Sequence, residues 1–435
     1  MGSGVSSEGL TISSGRGRAW RGMESPVLHR AEWLVSGASP PIHDGAVLVE
    51  DKHILAAGPY AQVQAATPAG TRRRDHGSAA MMPGLVNAHT HLELSGLRGQ
   101  IMLPQDGFAQ WLEKLLSLRP AMDLNRLQRG LSAGQQQLLD SGCCLCGDIT
   151  NGACVESNHF PLHRQVFLEV LGFDRKSLAE ALGPDFDRTL GIPAPAFPPS
   201  LAAHACYSTS GTVIREAKEW CQTRGLRFSI HVSEHLEEIE FLESGTGFCR
   251  KVLEDLGRWV PHWTAPGTTP VGYLDQLQAL DSQTLLVHAV HLTEGDWEVV
   301  QKYRCPVCFC PRSNRDLNVG RPDIAKALGH GLVTALGTDS LASNRDLNIF
   351  AEAAYVLDHY SQIPAEAVFV MATLGGARAL GQEKRFGSIE PGKQADLLVV
   401  SLPDSPPFHQ LFETIIQQGN RGAWRWAHHP ANGCD

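Results

Sequence analysis

Two histidines separated by one residue close a short apolar run at positions 83–93. The run reads PGLVNAHTHLE, so a Pro-Gly breaker opens it and His89 and His91 stand near its end. Successive side chains of a β-strand alternate between its two faces, so residues two apart point the same way, and these imidazoles can bind one ion. A His-x-His pair alone is more often structural, so the interpretation as a metal site depends on further ligands.

Candidates for those ligands stand at the ends of three later apolar runs. His231 lies in FSIHVSE and is followed by Glu234, His288 ends LLVH, and Asp339 follows VTALGT. A catalytic zinc site usually has three protein ligands, His and Asp among the suitable ones, and an open position for water. A single strand-end His or Asp is a weak signal, but several at matching strand ends favour a metal centre.

The strands that must position these residues can be counted along the chain. We predict strands at 85–91, 144–150, 165–171, 201–207, 227–234, 284–291, 307–314 and 333–339. Helical stretches alternate with them, which is the order of a parallel sheet wrapped by helices. Eight strands over positions 83–340 fit the roughly 250 residues of a (β/α)₈ TIM barrel. An open doubly wound α/β sheet is the alternative, but no Gly-x-Gly-x-x-Gly follows an early strand.

Both chain ends show short strands and turns rather than helices. Residues 46–50 and 53–58 predict a hairpin, and turn residues around 387–396 lead into another strand. We therefore expect a small composite β domain, of the β-sandwich type, from 25–80 and 380–435, and a barrel domain over 81–379.

Two further segments are predicted separately. Residues 1–22 are rich in Gly, Ser and Arg without the apolar region of a signal peptide, which predicts a disordered extension. Residues 106–142 form a long helical insertion after the first strand. Its apolar stripe is expected to face the core, with a lid over the site as the alternative.

Composition excludes several classes of partner. The net charge of −9 and pI near 6.1 give no basic surface for nucleic acid or anionic membranes. No apolar run approaches the ~20 residues that span a bilayer. Eleven cysteines without a secretory segment favour reduced thiols and a cytoplasmic location.

Five fragments together carry a resemblance to a known family. In order they are PGLVNAHTH, HVSE, VHAVHL, CPRSN and GTDS. The chain resembles the amidohydrolase superfamily from about 25 to 402, within the branch of cytosine deaminases, chlorohydrolases and methylthioadenosine/S-adenosylhomocysteine deaminases. The resemblance implies that one divalent metal, zinc or alternatively ferrous iron, is bound by His89, His91, His231 and Asp339. It also implies that Glu234 is the acid/base and that His288 orients the water.

The implied chemistry is hydrolytic deamination of a cyclic amidine. Zinc makes hydroxide available at neutral pH, and Glu234 would protonate the ring nitrogen next to the attacked carbon and help release ammonia. Asp339 and His288 would hold the water and accept its proton. No lysine ends the fourth strand, where related two-metal enzymes have a carboxylated lysine, so one metal is expected.

Candidate substrate contacts are spread over several loops. His204, in AHACY, resembles the family's Pro-His-Ala-Pro-Tyr element, whose histidine touches the substrate, although Ala203 and Cys206 replace both prolines. Glu93 could accept hydrogen bonds from a ribose or an amine, and Trp111 is expected beside the pocket.

The segment after the seventh strand offers a second group of substrate contacts. Arg312 has a planar fork suited to a carboxylate, or it ties down the top of the barrel; Ser313 and Asn314 follow it. The motifs HLELS and PRSN look closest to those of aminodeoxyfutalosine deaminases, whose substrate carries an adenine and a benzoate. Methylthioadenosine, S-adenosylhomocysteine or adenosine remains open.

The alternatives are a chlorohydrolase or free-base aminohydrolase acting on guanine-, triazine- or cytosine-like rings, and an inactive barrel that serves as a scaffold. The partners expected for an enzyme are a small-molecule substrate and water. Homo-oligomers are common among such relatives, but no stretch of this sequence identifies an interface.

Overall fold

The computed structural model describes residues 25–101, 107–151, 161–183, 197–403 and 405–428. The predicted extension at 1–22 lies outside these residues. Within the described residues, fifteen β-strands form one sheet of eight strands and one of seven. The strands are β1 Val27–Leu34, β2 Ile42–Glu50, β3 His53–Pro59, β4 Arg72–Asp75, β5 Ala79–Pro83, β6 Leu85–Thr90, β7 Cys143–Thr150, β8 His163–Val170, β9 Ser200–Ala205, β10 Phe228–Val232, β11 Thr284–His288, β12 Val307–Phe309, β13 Thr334–Leu336, β14 Leu397–Ser401 and β15 Trp424–Trp426.

Helices follow most strands of the larger sheet and cover its outer side. The α-helices are Tyr60–Ala66, Phe108–Leu118, Leu124–Asp140, Leu178–Leu182, Gly211–Gln222, Leu236–Ser244, Gly247–Asp255, Pro270–Gln276, Glu294–Tyr303, Pro311–Asp316, Ile324–Gly329, Ile349–His359, Ala365–Val370, Gly376–Ala379 and Leu411–Asn420. A π-helical segment, Met371–Gly375, joins two of them, and 3₁₀ turns lie at Leu92–Leu97, Arg119–Ala121 and Phe408–Gln410. None of the described helices combines the length and the apolar character needed to cross a membrane.

The larger sheet is a parallel barrel whose strands run in chain order from β6 to β13. All eight predicted strands are confirmed, although the last two are only three residues long. Side chains are buried along the whole of β6, β7, β10 and β11, as expected for a parallel sheet covered on both faces. The predicted TIM barrel is therefore the observed fold.

The barrel closes where the first and last strands meet, directly beside the candidate metal ligands. The backbone N–H groups of Thr338 and Asp339 both donate to the His89 carbonyl at 3.1 Å. A Cβ on Gly337 would lie 2.9 Å from that carbonyl oxygen, so only glycine permits this approach. Asn87 adds a side-chain hydrogen bond to the Thr338 hydroxyl at 2.7 Å.

The seven-stranded sheet combines both ends of the described chain. Its order is β15-β14-β5-β1-β2-β3, with β4 beside β1, and β2 and β3 form the predicted antiparallel hairpin. Strand β5 pairs with β14 on one side and β1 on the other, then passes through Gly84 into the first barrel strand. Ala79–Pro83 therefore belongs to the small sheet, and the barrel begins at Leu85.

Three histidines contact one another at this sheet, His29 stacking on His76 and meeting His428 edge to face. Nδ1 of His29 lies 2.9 Å from Nε2 of His76, and Nε2 of His29 lies 2.6 Å from Nε2 of His428. Burial, together with the neighbouring imidazoles, lowers the pKa of His29 to about 2. Burial and the nearby Arg425 lower the pKa of His76 to about 4. Both rings are therefore neutral in the folded protein at pH 5.

We expect the free energy of unfolding to fall as the pH decreases from 6.5 toward 4. The unfolded chain takes up protons on these histidines near pH 6.5, whereas the folded chain does not, so acid favours unfolding. Urea unfolding at pH 7.5 and pH 5 measures the difference. His29→Gln should reduce this difference between the two pH values, although the variant is less stable than the wild type at both. The control His262→Gln alters an exposed histidine and should leave the difference between the two pH values unchanged. If the free energy of unfolding fell equally between pH 7.5 and pH 5 in the wild type and in His29→Gln, the assignment would be contradicted.

Candidate active site

Three imidazoles and one carboxylate converge at the mouth of the barrel. Nε2 of His89 lies 3.2 Å from Nε2 of His91 and 3.1 Å from Nε2 of His231. Oδ1 of Asp339 lies 3.7 Å from the His89 nitrogen and 3.5 Å from the His91 nitrogen. Donors bound tetrahedrally to zinc at ~2.0–2.1 Å are about 3.3 Å apart, so this set fits one such ion.

Neighbouring groups aim these donors at their common centre. Nδ1 of His231 hydrogen-bonds to the His204 carbonyl at 2.7 Å, which leaves Nε2 facing the other donors. The hydroxyls of Ser313 and Ser343 donate to Oδ2 of Asp339 at 2.8 and 2.6 Å, so Oδ1 faces the histidines. Partners of this kind fix the orientation of metal ligands.

The protonation states also suit a cation. Burial and the adjacent His89 lower the pKa of His91 to about 4, and burial lowers the pKa of His231 well below its ordinary value. Burial alone would raise the pKa of Asp339, but the surrounding histidines hold it well below the usual range. Because metal ligands must be deprotonated, these residues are in the binding form at neutral pH.

Two residues at the site have strained backbones. Asp339 has φ +57° and His288 has φ +72°, a region that side chains other than glycine enter at a cost. Each residue stands where its barrel strand has just ended or is ending. The strain indicates that surrounding contacts hold these two side chains at the mouth.

A buried carboxyl group lies beside this centre. Oε1 of Glu234 is 3.5 Å from Nε2 of His288, whose Nδ1 is 3.0 Å from the Asn314 amide. Burial raises the pKa of Glu234 well above its ordinary value, and the negative charges of Asp339 and Glu238 add to the shift. A carboxyl group whose pKa is raised keeps its proton to higher pH than an ordinary glutamate, which suits it to general acid/base chemistry.

These groups open into a cavity with about 500 Å³ of space between protein atoms, part of it continuous with solvent. One wall is apolar and comes mostly from the helix Phe108–Leu118 of the predicted insertion. The cavity is lined by His91, Leu94, Phe108, Trp111, Leu112, Leu115, Arg119, Glu169, His204, Tyr207, His231, Glu234, His288, Asp339 and Ser340.

The insertion helix Phe108–Leu118 packs against buried residues and also covers the cavity. Leu112 and Leu115 are buried, as the apolar stripe predicted, and Phe108 stacks on His235 with ring centres 3.7 Å apart. The Trp111 indole N–H donates to the Ala342 carbonyl at 2.8 Å, which ties the helix to the loop after the last barrel strand. The helix therefore forms a cover over the cavity.

Of the predicted substrate contacts, the structure brings His204 and Trp111 to the cavity. Ser313 and Asn314 lie behind it, where they hold Asp339 and His288 instead. The Ser313 hydroxyl and the Asn314 amide nitrogen contact Asp339 and His288, and a contact of these two residues with a substrate stays a prediction.

Arg312 was predicted either to bind a substrate carboxylate or to tie down the top of the barrel. Its guanidinium makes two hydrogen bonds to Asp346 at 2.7 and 2.9 Å and lies 3.6 Å from Glu352. It is buried and does not line the cavity. Arg312 therefore ties down the top of the barrel, which was the alternative interpretation.

Glu93 is likewise occupied by the protein. Its carboxylate accepts hydrogen bonds from Thr150 at 2.7 Å and from the backbone and side-chain amides of Asn151 at 3.1 and 3.0 Å. Nη2 of Arg119 lies 3.5 Å from the same carboxylate. Glu93 supports the cavity wall from behind and is not among its lining residues.

Two charged lining residues, Arg119 and Glu169, were missed from the sequence. Arg119 follows the insertion helix, and no strand-end pattern marks it. Glu169 stands one residue before the end of β8, inside the apolar run QVFLEVL. An acidic residue in an otherwise apolar barrel strand was the signal that could have found it.

Comparisons with known proteins agree with this geometry. Residues 80–423 match the sequence profile described as Amidohydrolase family. The 5-methylthioadenosine/S-adenosylhomocysteine deaminase of Moorella thermoacetica is 28% identical over 384 residues, which cover 85% of this chain and 84% of that protein. The aminodeoxyfutalosine deaminase of Deinococcus radiodurans is 30% identical over 371 residues, covering 81% and 84%. A zinc-bound crystal structure of an adenosine deaminase from Xanthomonas campestris superimposes with a TM-score of 0.72 at 25% identity, covering 92% and 90%.

We expect Asp339→Asn to bind zinc at least ~10-fold more weakly, because the charged oxygen donor is replaced by a neutral amide. Metal content after dialysis against a zinc buffer, measured by elemental analysis, tests this. Asp255→Asn alters an exposed carboxylate that pairs with Lys251 and serves as the control. Equal zinc in both variants would show that Asp339 is not a ligand.

Proposed function

The chain belongs to the amidohydrolase family, and we propose that it is a metal-dependent aminohydrolase that releases ammonia from an adenine-type nucleoside. The observation that carries this proposal is the convergence of His89, His91, His231 and Asp339 beside the buried carboxyl of Glu234. The deaminase names of the relatives support the same reaction on carbon–nitrogen bonds of a cyclic amidine. We further propose that the four convergent residues hold one divalent ion, zinc by preference.

In this proposal each remaining residue has a defined task. The ion, when bound, makes hydroxide available at neutral pH. Asp339 and His288 hold the attacking water at the ring carbon and accept its proton. Glu234 donates a proton to the neighbouring ring nitrogen and then helps transfer one to the departing amino group, so that ammonia leaves.

The cavity lining supports a substrate with an apolar or aromatic tail that ends in an anion. Leu94, Trp111 and Leu115 are apolar residues of this lining, and Arg119 lines the same cavity. A guanidinium pairs well with a carboxylate because its planar fork matches both oxygens. This combination favours aminodeoxyfutalosine, whose benzoate would meet Arg119.

A second substrate remains a candidate because of the names of several relatives. Methylthioadenosine would place its methylthio group against the apolar lining residues and would not use Arg119, whereas S-adenosylhomocysteine would offer Arg119 a carboxylate.

We also propose a cytoplasmic location. The nine described cysteines are buried free thiols, which supports a reducing compartment.

Ammonia release with a panel of compounds tests the reaction class. We expect turnover of aminodeoxyfutalosine and weaker turnover of methylthioadenosine, S-adenosylhomocysteine and adenosine by the zinc-loaded protein. Guanine, cytosine and a chlorotriazine should give no product above background. Turnover of the free bases or chloride release from the triazine, without turnover of any nucleoside, would contradict the proposal.

Replacing the cation in the cavity lining tests the substrate assignment. Arg119→Met should lower kcat/KM for aminodeoxyfutalosine by about 10- to 100-fold, the usual effect of losing a hydrogen-bonded charged partner. Turnover of methylthioadenosine, which has no carboxylate, should change by less than about threefold. Lys114→Met removes an exposed cation from the insertion helix that precedes Arg119 and should affect neither substrate. A parallel loss on both substrates in Arg119→Met would instead indicate a structural role.

A further inference from the structure

Glu169 is a buried carboxylate in the cavity wall with one oxygen unused by the protein. Its side chain lies at the end of β8 and is 8% exposed. Oε2 accepts a hydrogen bond from the Asn151 amide at 2.9 Å, whereas Oε1 has no hydrogen-bond partner among the residues that the structure describes. A buried acceptor left unpaired is costly, so a donor is expected there when the site is filled.

The carboxylate is held as an anion in a fixed position. Burial would raise its pKa, but the positive potential of His204, His91 and Arg119 lowers it below the ordinary value. The Asn151 amide that holds Glu169 also donates to Glu93, so the wall is one connected network. An ionised carboxylate only accepts hydrogen bonds, so its ligand must be a donor.

The position of Glu169 shows which part of a substrate it faces. Glu234, His288 and Asp339 come from the ends of β10, β11 and β13 or from the loops after them, and they surround the place of reaction. Glu169 and His204 come from β8 and β9, and Arg119 lies on the same side through its contact with Glu93. A carboxylate oxygen of Glu169 and ring nitrogens of His204 and of the candidate metal ligand His231 all lie within 4.8 Å of one another, so Glu169 faces the His204 side of the cavity, next to the metal centre.

The chemistry of an adenine nucleoside then leaves one class of partner. The ring nitrogens N1, N3 and N7 are acceptors and cannot satisfy a carboxylate. The amino group is a donor, but it must lie at Glu234 and Asp339, where it is removed. The remaining donors are the hydroxyl groups of the sugar.

We propose that Glu169 is a specificity-determining residue that accepts hydrogen bonds from the ribose hydroxyls and so selects ribonucleosides. This inference rests on the proposed function, because it assumes a nucleoside in the cavity. The metal centre, Glu169 and Arg119 then bind in turn the base, the sugar and the distal anion of one extended substrate.

Adenosine and 2′,3′-dideoxyadenosine test the proposal, since they differ only in these hydroxyls. The wild type should prefer adenosine by about 10- to 100-fold in kcat/KM, as expected for hydrogen bonds to a charged group. Glu169→Gln should lose most of this preference, because turnover of adenosine falls while turnover of the dideoxy compound changes by less than about threefold. The control Glu219→Gln alters an exposed carboxylate on the helix Gly211–Gln222 and should keep the full preference.

The remaining outcomes separate this inference from the function on which it rests. Wild-type enzyme that deaminates both compounds equally would overturn the role of Glu169 and leave the deaminase intact. A parallel fall on both compounds in Glu169→Gln would assign the residue to packing and also overturn it. Calorimetric binding of inosine, the deaminated product, gives a readout without turnover: wild-type affinity that exceeds that of Glu169→Gln by about 10-fold or more supports the inference. If the wild type neither binds inosine nor releases ammonia from either nucleoside, the inference fails, and the proposed function fails with it only if aminodeoxyfutalosine, methylthioadenosine and S-adenosylhomocysteine also release no ammonia.

Discussion

The constraint on which the structure depends is the burial of several lone pairs that face one point. The Nε2 atoms of His89, His91 and His231 are separated by little more than the contact distance of two nitrogens. Protonating all of them would bring like charges together in a dry site, and leaving all of them unprotonated places acceptors against acceptors. A divalent cation resolves this conflict, and Asp339, restrained by two serine hydroxyls, supplies the compensating charge.

Much of the fold could be predicted because parallel barrel strands are buried on both faces. Their apolar runs are therefore nearly continuous, and all eight were visible in the sequence. The ends of the strands were harder to predict. The strand that begins at Val307 was predicted to extend to Asn314, but a helix begins at Pro311, because the fixed φ of proline suits a first helical turn. The small sheet was predicted from its turn residues, although the predicted boundary between the two domains fell within β5.

The candidate site was predictable to the extent that its residues stand at strand ends. This rule located the three histidines and Asp339, and their convergence in space follows from barrel geometry. It could not evaluate Arg312, because the pairing with Asp346 depends on a loop whose path the sequence does not specify. It also could not find Arg119, which follows the insertion helix and reaches the cavity where that helix is packed over the mouth, in part through the Trp111–Ala342 hydrogen bond.

The pairing of β5 with β14 has a consequence for biosynthesis. Strand β5 leads through Gly84 directly into the strand that carries His89 and His91, yet one of its two neighbours lies more than 300 residues later. During translation this edge stays unpaired until nearly the whole chain has left the ribosome, and an uncovered edge can pair with another polypeptide. The nascent chain therefore needs its last strands to cover the edge of β5, and a premature stop before Leu397 leaves a product prone to self-association.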